Sequence, residues 1–372
     1  MNSFGSFQEI PKNDNKALSD TLIGLGSNQK LFKDQIFPLI QPQIADLKKS
    51  KKFKNSKNLT LALLPYPEEL ESEGGLRRMG IETASANFYK TLKTASWRGL
   101  DLENSGISFV SLFEDLGFNS IKHERAGYRG KLKGWLEVFG EGSGGSCVWF
   151  GVGGGLDFAE TYLREKLGNE EFGGDGAGWS VFKIGPSLNC GGLGEKVFNK
   201  NAFSHLSKNF GKIRIYHFGV LAHQTPSDLV QKVEEEGEDG QQREKVYFLG
   251  EDGFNFSEFF EVIQEVIQRE DRLIMVFDCE SIASEYFQGV SDPRVDGLDK
   301  KEVFSIFKNL AKFTAKNNHL DAQKTLNLDA VLIGNFNPTV EAMRSPSMLN
   351  TILYAFLATL ADSRAKSDKN EE

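Results

Sequence analysis

The chain has 372 residues, of which 39% are hydrophobic and 26% charged, and its formal net charge is −8. That length accommodates two ordinary domains or one large α/β domain with a full core of its own. The acidic balance argues against a broad nucleic-acid surface, which needs clustered Lys and Arg, and no run approaches the roughly 18 apolar residues of a membrane span.

Cys147, Cys190 and Cys279 lie far apart with no CxxC pair, so neither a zinc ribbon nor a disulfide framework is implied and a reducing compartment fits. The N-terminal stretch MNSFGSFQEIPKNDNK has no apolar run behind a basic start, so no secretory signal is expected and the expected location is cytoplasmic. The 30 Phe residues are scattered among apolar runs, which reads as core filling rather than a stacking platform for bases.

Residues 1–58 read as an irregular N-terminal extension, with a short helical stretch in LFKDQIFPLIQPQIADL and a Lys-rich solvated loop at Lys48–Asn58. From residue 59 the pattern changes. LTLALL (Leu59–Leu64) is a short apolar run ending in PYP and reads as a buried strand. VWFGV (Val148–Val152) leads through glycines into the helical pattern DFAETYLREKL. SVFKI (Ser180–Ile184) ends in GPS. IRIYHFGV (Ile213–Val220) precedes SDLVQKVEEE, read as an N-capped helix. EEEGEDGQQRE (Glu234–Glu244) reads as an acidic surface turn. KVYFL precedes SEFFEVIQEVIQRE, whose apolar positions recur at helical spacing. RLIMVF (Arg272–Phe277), amphipathic KKEVFSIFKNLAKFTAK, DAVLIG (Asp329–Gly334) and a last helix from SPSMLN complete the pattern.

Strands apolar on both faces that alternate with helices predict a three-layer αβα fold with a mostly parallel, doubly wound sheet. Residues 59–364 read as one domain and 365–372 as a flexible tail. In such sheets the ligand site lies at the carboxyl ends of the strands, so the deciding segments are GGGLDF, GPSLNC, HFGVLAHQ, DCES and NFNP.

Asp278 and Glu280, two apart at a strand end, would share a face and offer oxygen donors to Mn, Mg or Ca, although a surface, helix-cap or hydrogen-bonded role is the commoner reading of such a pair. Cys279 between them should point into the core. GVGGGLDF lacks the third glycine of GxGxxG, because Leu156 stands there, and it lacks the P-loop ending. Its glycines read as permitting a tight strand-to-helix turn. His217 and His223 miss the i, i+4 spacing of a helical zinc pair, and each reads as a hydrogen-bonded core or loop histidine.

Taken together, these strand ends resemble the ureohydrolases: arginase, agmatinase and formimidoylglutamase. DCESIASEYFQGVSDPRVDGLDKKEV (Asp278–Val303) parallels the family pattern DxDxxDPxxxPGxxxPxxGGL. VWFGVGGGLDF resembles the strand and GGDH turn, VFKIGPSLN the strand and DAHxD, and AVLIGNFNP the strand that ends before the NP turn. LTLALLPYPEELESEGGLRRMG resembles the first strand and its loop in the formimidoylglutamase branch. The segments occur in the family's order.

The family holds two Mn ions that bridge a hydroxide, which attacks an amidine or guanidine carbon. Carried over by this resemblance, the GGDH histidine falls at Leu156. The Asp, His and Asp of DAHxD fall at Gly185, Ser187 and Asn189, and the DxD pair falls at Asp278 and Glu280. The acidic residue that engages the substrate's cation falls at Asn335. Asp278 and Glu280 are thus remnants of a metal site, and Asp157, one past Leu156, is a possible substitute ligand. With Ser187, Asn189 and Asn335 these residues would line the pocket.

The reading that follows is a pseudoenzyme of the arginase-like fold, with no cofactor expected. It would act as a binding, regulatory or scaffold protein, either in a homo-oligomer (trimer or hexamer) or in mixed assembly with an active relative. A small ligand in the old pocket is possible, and neither nucleic acid nor membrane is expected as a partner. The alternative is an amidine C–N hydrolase with an altered or mononuclear Mn site around Asp157, Asp278 and Glu280. A third, with support from residue type alone, is a different chemistry using Ser187, Cys190 or His217.

Overall fold

The computed structural model describes residues 37–38, 59–66, 83–95, 100, 102, 105–112, 125–139, 147–167, 178–191, 199–210, 213–235, 242–315 and 325–368. The Lys48–Asn58 loop, the loop after Pro65 from residue 67 onward and residues 369–372 lie outside them, as does the centre of the acidic stretch, residues 236–241.

Nine strands form one sheet: β1 (Phe37–Pro38), β2 (Leu59–Pro65), β3 (Ile107–Ser111), β4 (Cys147–Val152), β5 (Trp179–Ile184), β6 (Ile213–Val220), β7 (Glu244–Phe248), β8 (Arg272–Asp278) and β9 (Asn327–Gly334). Their spatial order is β1-β3-β2-β4-β9-β8-β5-β6-β7, and every pairing is parallel. Eight helices are described: α1 (Ala84–Thr94), α2 (Arg125–Phe139), α3 (Phe158–Leu167), α4 (Ala202–Asn209), α5 (Ser227–Glu234), α6 (Phe256–Arg269), α7 (Lys300–Thr314) and α8 (Arg344–Asp368). One core joins a sheet face to α1, α6, α7 and α8, and the second joins the other face to α2, α3 and α4. This is the expected three-layer α/β sandwich, and burial on both faces explains why its strands read as continuous apolar runs.

The strands from β5 run outward through β6 to β7, and the chain then returns to place β8 on the other side of β5. The gap between β5 and β8 is therefore a topological switch point, where α/β sheets open a crevice at their carboxyl ends.

Several local readings are corrected. Phe37–Pro38, inside the stretch read as helical, pairs in parallel with Val110–Ser111. α5 begins after Pro226 with no side-chain cap, although its Ser-Asp start resembled one. α8 runs to Asp368, into the segment set apart as a tail. Elements α1, β3 and α2 had no clear periodic signal; α2 carries Gly127, Gly130 and Gly134, which weaken helix propensity. Where caps exist they are specific. Asp299 and Glu302 form a reciprocal capping box on α7, and Asn255 Oδ1 accepts from the backbone N–H groups of Ser257 and Glu258 at the start of α6.

Candidate functional site at the strand ends

β8 ends at Asp278, which is fully buried. Its Oδ1 accepts the Glu280 N–H (2.9 Å) and the Asn335 side-chain amide (2.9 Å). Residues Cys279–Ser281 form a 3₁₀ turn that Asp278 caps. The strand period therefore does not extend to Glu280, and the shared-face reading of the two carboxylates gives way to the capping one. Cys279 is buried in the core, as expected. Asn335 has φ +57°, a left-handed conformation that Asn tolerates, and this turn carries its amide to Asp278.

Across the switch point, β5 carries Lys183, whose side chain is fully buried. Its ammonium donates to the Ser187 carbonyl. Burial lowers its pKa to about 8, against the opposing pull of Asp278, Cys190 and Glu280. The ammonium folds back over Gly185. A Cβ built on Gly185 would lie 2.8 Å from Lys183 Nζ, 2.8 Å from Asp278 Cβ and 3.1 Å from Asp278 Oδ2. Gly185 is thus the space into which the lysine packs. Ser187 Oγ lies 3.1 Å from Asn189 Oδ1, and Asn189 has φ +55°. Sequence reasoning passed over Lys183. A lysine inside a strand apolar on both faces was the available signal.

Asp157 follows β4, which β9 separates from β8. The Tyr66 hydroxyl donates to its Oδ2 (2.8 Å), and the Tyr66 ring stacks on Phe158 at 4.2 Å. A Cβ on Gly151 would collide with the Phe158 ring and one on Gly153 would meet Tyr66 at 2.9 Å. The glycines before Asp157 therefore serve close packing of two aromatic rings, beyond the tight turn expected of them. Leu156 is fully buried in the apolar core. Asp157, Asp278 and Glu280 do not converge. Among the described residues, the His, Cys, Asp and Glu groups with three donors drawn together consist of Cys190, His217 and Glu244 alone, with one donor atom from each within 4.8 Å of the others.

His217 on β6 is fully buried, and its Nε2 lies 3.1 Å from Glu244 Oε2. Burial lowers its pKa, opposed by Glu244. The reading of His217 as a hydrogen-bonded core histidine stands, with a carboxylate as partner. Glu244, placed by sequence in an acidic surface turn, is instead buried at the start of β7. The charge run that precedes it hid it. His223 is exposed and contacts Asp296 at 3.1 Å. Beside it, Arg294 donates to Gln224 and to Asp292. These contacts pin the loop after β8 to the end of β6.

A fold of this order, with its crevice between β5 and β8, is the ureohydrolase fold. Solved structures similar to it include formimidoylglutamase from Bacillus subtilis (TM-score 0.62, 11% identity, covering 91% of this chain and 94% of that one). Also similar are Trypanosoma cruzi formiminoglutamase with Mn²⁺ (0.55, 20%, 86% and 98%) and agmatine ureohydrolase of Thermoplasma volcanium (0.53, 14%, 94% and 99%). No family model matches the sequence, and no curated protein matches it. Among the described residues no helix is long and apolar enough to cross a membrane.

Proposed function

We propose that this chain is a ureohydrolase-fold protein without binuclear manganese chemistry, acting as a binding or regulatory scaffold. The observation that carries this reading is the Lys183 ammonium packed over Gly185 beside Asp278. A buried cation there supplies one positive charge where the resemblance would put metal.

The donor set at the positions given by the resemblance does not fit two Mn ions. Hard dications need several oxygen or nitrogen ligands. Leu156 offers a hydrocarbon side chain, and Gly185 offers none. Asp278 already accepts two hydrogen bonds on one oxygen. Asn335, at the position that would engage a guanidinium, presents an amide to Asp278 rather than a carboxylate to a substrate. The mononuclear alternative around Asp157, Asp278 and Glu280 has less support, because these three are not drawn together and two of them accept hydrogen bonds from Tyr66 and Asn335.

The test is a Mn-supplemented assay on a panel of linear amidines and guanidines, followed by ammonia and urea release. The reading expects no turnover above the buffer rate. Turnover that depends on Asp278 would overturn it. A scaffold role further expects a self-assembled trimer or hexamer, or co-purification with a co-expressed active ureohydrolase. A monomer that ignores such a relative would count against that role.

A further inference from the structure

Apart from the Asp278 crevice, a second group of chemistry-bearing side chains stands at the edge of the sheet. Cys190 follows β5, His217 lies on β6 and Glu244 on β7, and one donor atom from each lies within 4.8 Å of the other two. Two adjacent strands and the loop after their neighbour thus each deliver a different donor to one place. We propose that Cys190, His217 and Glu244 form a zinc(II) site with one coordination position left open.

The donor chemistry selects the metal. A thiolate, an imidazole and a carboxylate are a borderline set, which suits Zn²⁺ and disfavours Mn²⁺ or Mg²⁺, whose sites are built of oxygens. The charges balance, since one thiolate and one carboxylate neutralise a dication and the imidazole binds neutral. The nearby Lys183 ammonium has its own counter-charge in Asp278 on the opposite strand. Tetrahedral zinc with bonds of about 2.0–2.3 Å separates its ligands by about 3.3–3.8 Å. His217 Nε2 and Glu244 Oε2 stand 3.1 Å apart, slightly closer than that, so the pair opens by a few tenths of an ångström while Cys190, within 4.8 Å of both, completes the set. Cys190 is the part-exposed member, sits on a loop rather than a strand, and is held by a long 3.4 Å contact to the Leu188 carbonyl and by the Ser204 hydroxyl.

The setting of the imidazole fits this role. His217 is fully buried and turns its Nε2 toward the Glu244 carboxylate, so that nitrogen faces the proposed ion. Phe203 packs edge-on against the ring at 5.5 Å, and this apolar wall holds the imidazole in place and limits water around it. Such a wall strengthens metal–ligand electrostatics.

The experiment strips the full-length protein with a chelator and titrates it first with Zn²⁺ and then with Co²⁺ as a spectroscopic probe. The expected result is one zinc per chain and a thiolate-to-cobalt charge-transfer band. Both should be lost in Cys190→Ser and His217→Gln and kept in Asp278→Asn. Glu244→Gln, which keeps shape and removes charge, should weaken zinc binding while circular dichroism shows the fold intact. No bound zinc in the wild type, cobalt bound without the thiolate band, or zinc that survives Cys190→Ser would each overturn the proposal. Zinc lost only in Asp278→Asn would overturn it too, and would place the ion in the other crevice.

Discussion

Lys183 and His217 are register partners on neighbouring strands, both fully buried and both on the same face of the sheet. Val276 pairs with Lys183 from the other side, so two residues on, Asp278 shares that face at the end of β8. Glu244 joins from β7 through its register with Ile215. The result is a row of polar side chains across four adjacent strands, with a central cation between two carboxylates and an imidazole inserted on one side. A row of this kind is stable only when its charges compensate, since an isolated buried charge costs several kcal/mol.

The lysine gives a pH signature with a definite sign. Its pKa is lowered from 10.5 to about 8 in the folded chain. Between those values the unfolded chain binds more protons than the native one, so stability rises with pH across that window. A drop of that size converts to roughly 3 kcal/mol as an upper bound. Urea melts of the wild type should therefore show a gain in stability from about pH 8 to 10.5. Lys183→Met should lack that gain. An equal slope in both proteins would mean that the lysine is not buried as a titrating cation.

Gly185→Ala should be strongly destabilising for a cause outside backbone conformation. The new methyl would meet Asp278 Cβ and Lys183 Nζ at 2.8 Å each. Overpacking of this kind costs about 1–3 kcal/mol. Shortening the lysine removes one of the two clashes, so Lys183→Ala and Gly185→Ala should couple favourably in a double-mutant cycle. Strict additivity of the two would contradict the packing described.

Asn335→Asp tests the other side of Asp278. It would replace a donating amide at 2.9 Å with a second carboxylate, while the left-handed backbone still suits Asp. Loss of a buried hydrogen bond costs about 1–3 kcal/mol, and like-charge repulsion adds to it. Thermal melts should show the variant destabilised near neutral pH. The deficit should shrink on acidification, when the pair can share a proton. A deficit independent of pH would point to a purely steric effect.

Glu341 is the anchor for α8. Burial opposes its charge, but hydrogen bonds from the N–H groups of Arg344 and Ser345 and from Met343 prevail and hold its pKa down to about 2. A depressed carboxylate stabilises above its unfolded value of 4.5 and loses that contribution as pH falls toward 2. Glu341→Ala should cost about 1 kcal/mol near neutral pH, in line with the loss of a helix cap. The difference from wild type should vanish in acid, as followed by denaturant midpoints at each pH.

The fold was legible because strands buried on both faces and amphipathic helices carry their periods in the residues themselves, as β8 and α6 show. The site was legible only where side chains act locally. Asp278 and Asn335 stood out at strand ends. Lys183 did not, because an isolated lysine in SVFKI gives no sign that its stem will fold back over a glycine two residues later. Glu244 was concealed by the acidic run before it, and its role emerges only when β7 pairs with β6. Asp157 looked like a substitute ligand in sequence, and the Tyr66 hydroxyl that fixes it comes from 91 residues away.

The most direct test of the central claim is the manganese content of the Asp278 crevice. The full-length protein would be dialysed to equilibrium against Mn²⁺ and the bound ion counted per chain by mass spectrometry, in parallel with Asp278→Asn. With Lys183 supplying the cation, wild type and variant should retain the same near-zero amount. One or two manganese ions per wild-type chain, lost in Asp278→Asn, would contradict the account and restore the crevice as a metallohydrolase site.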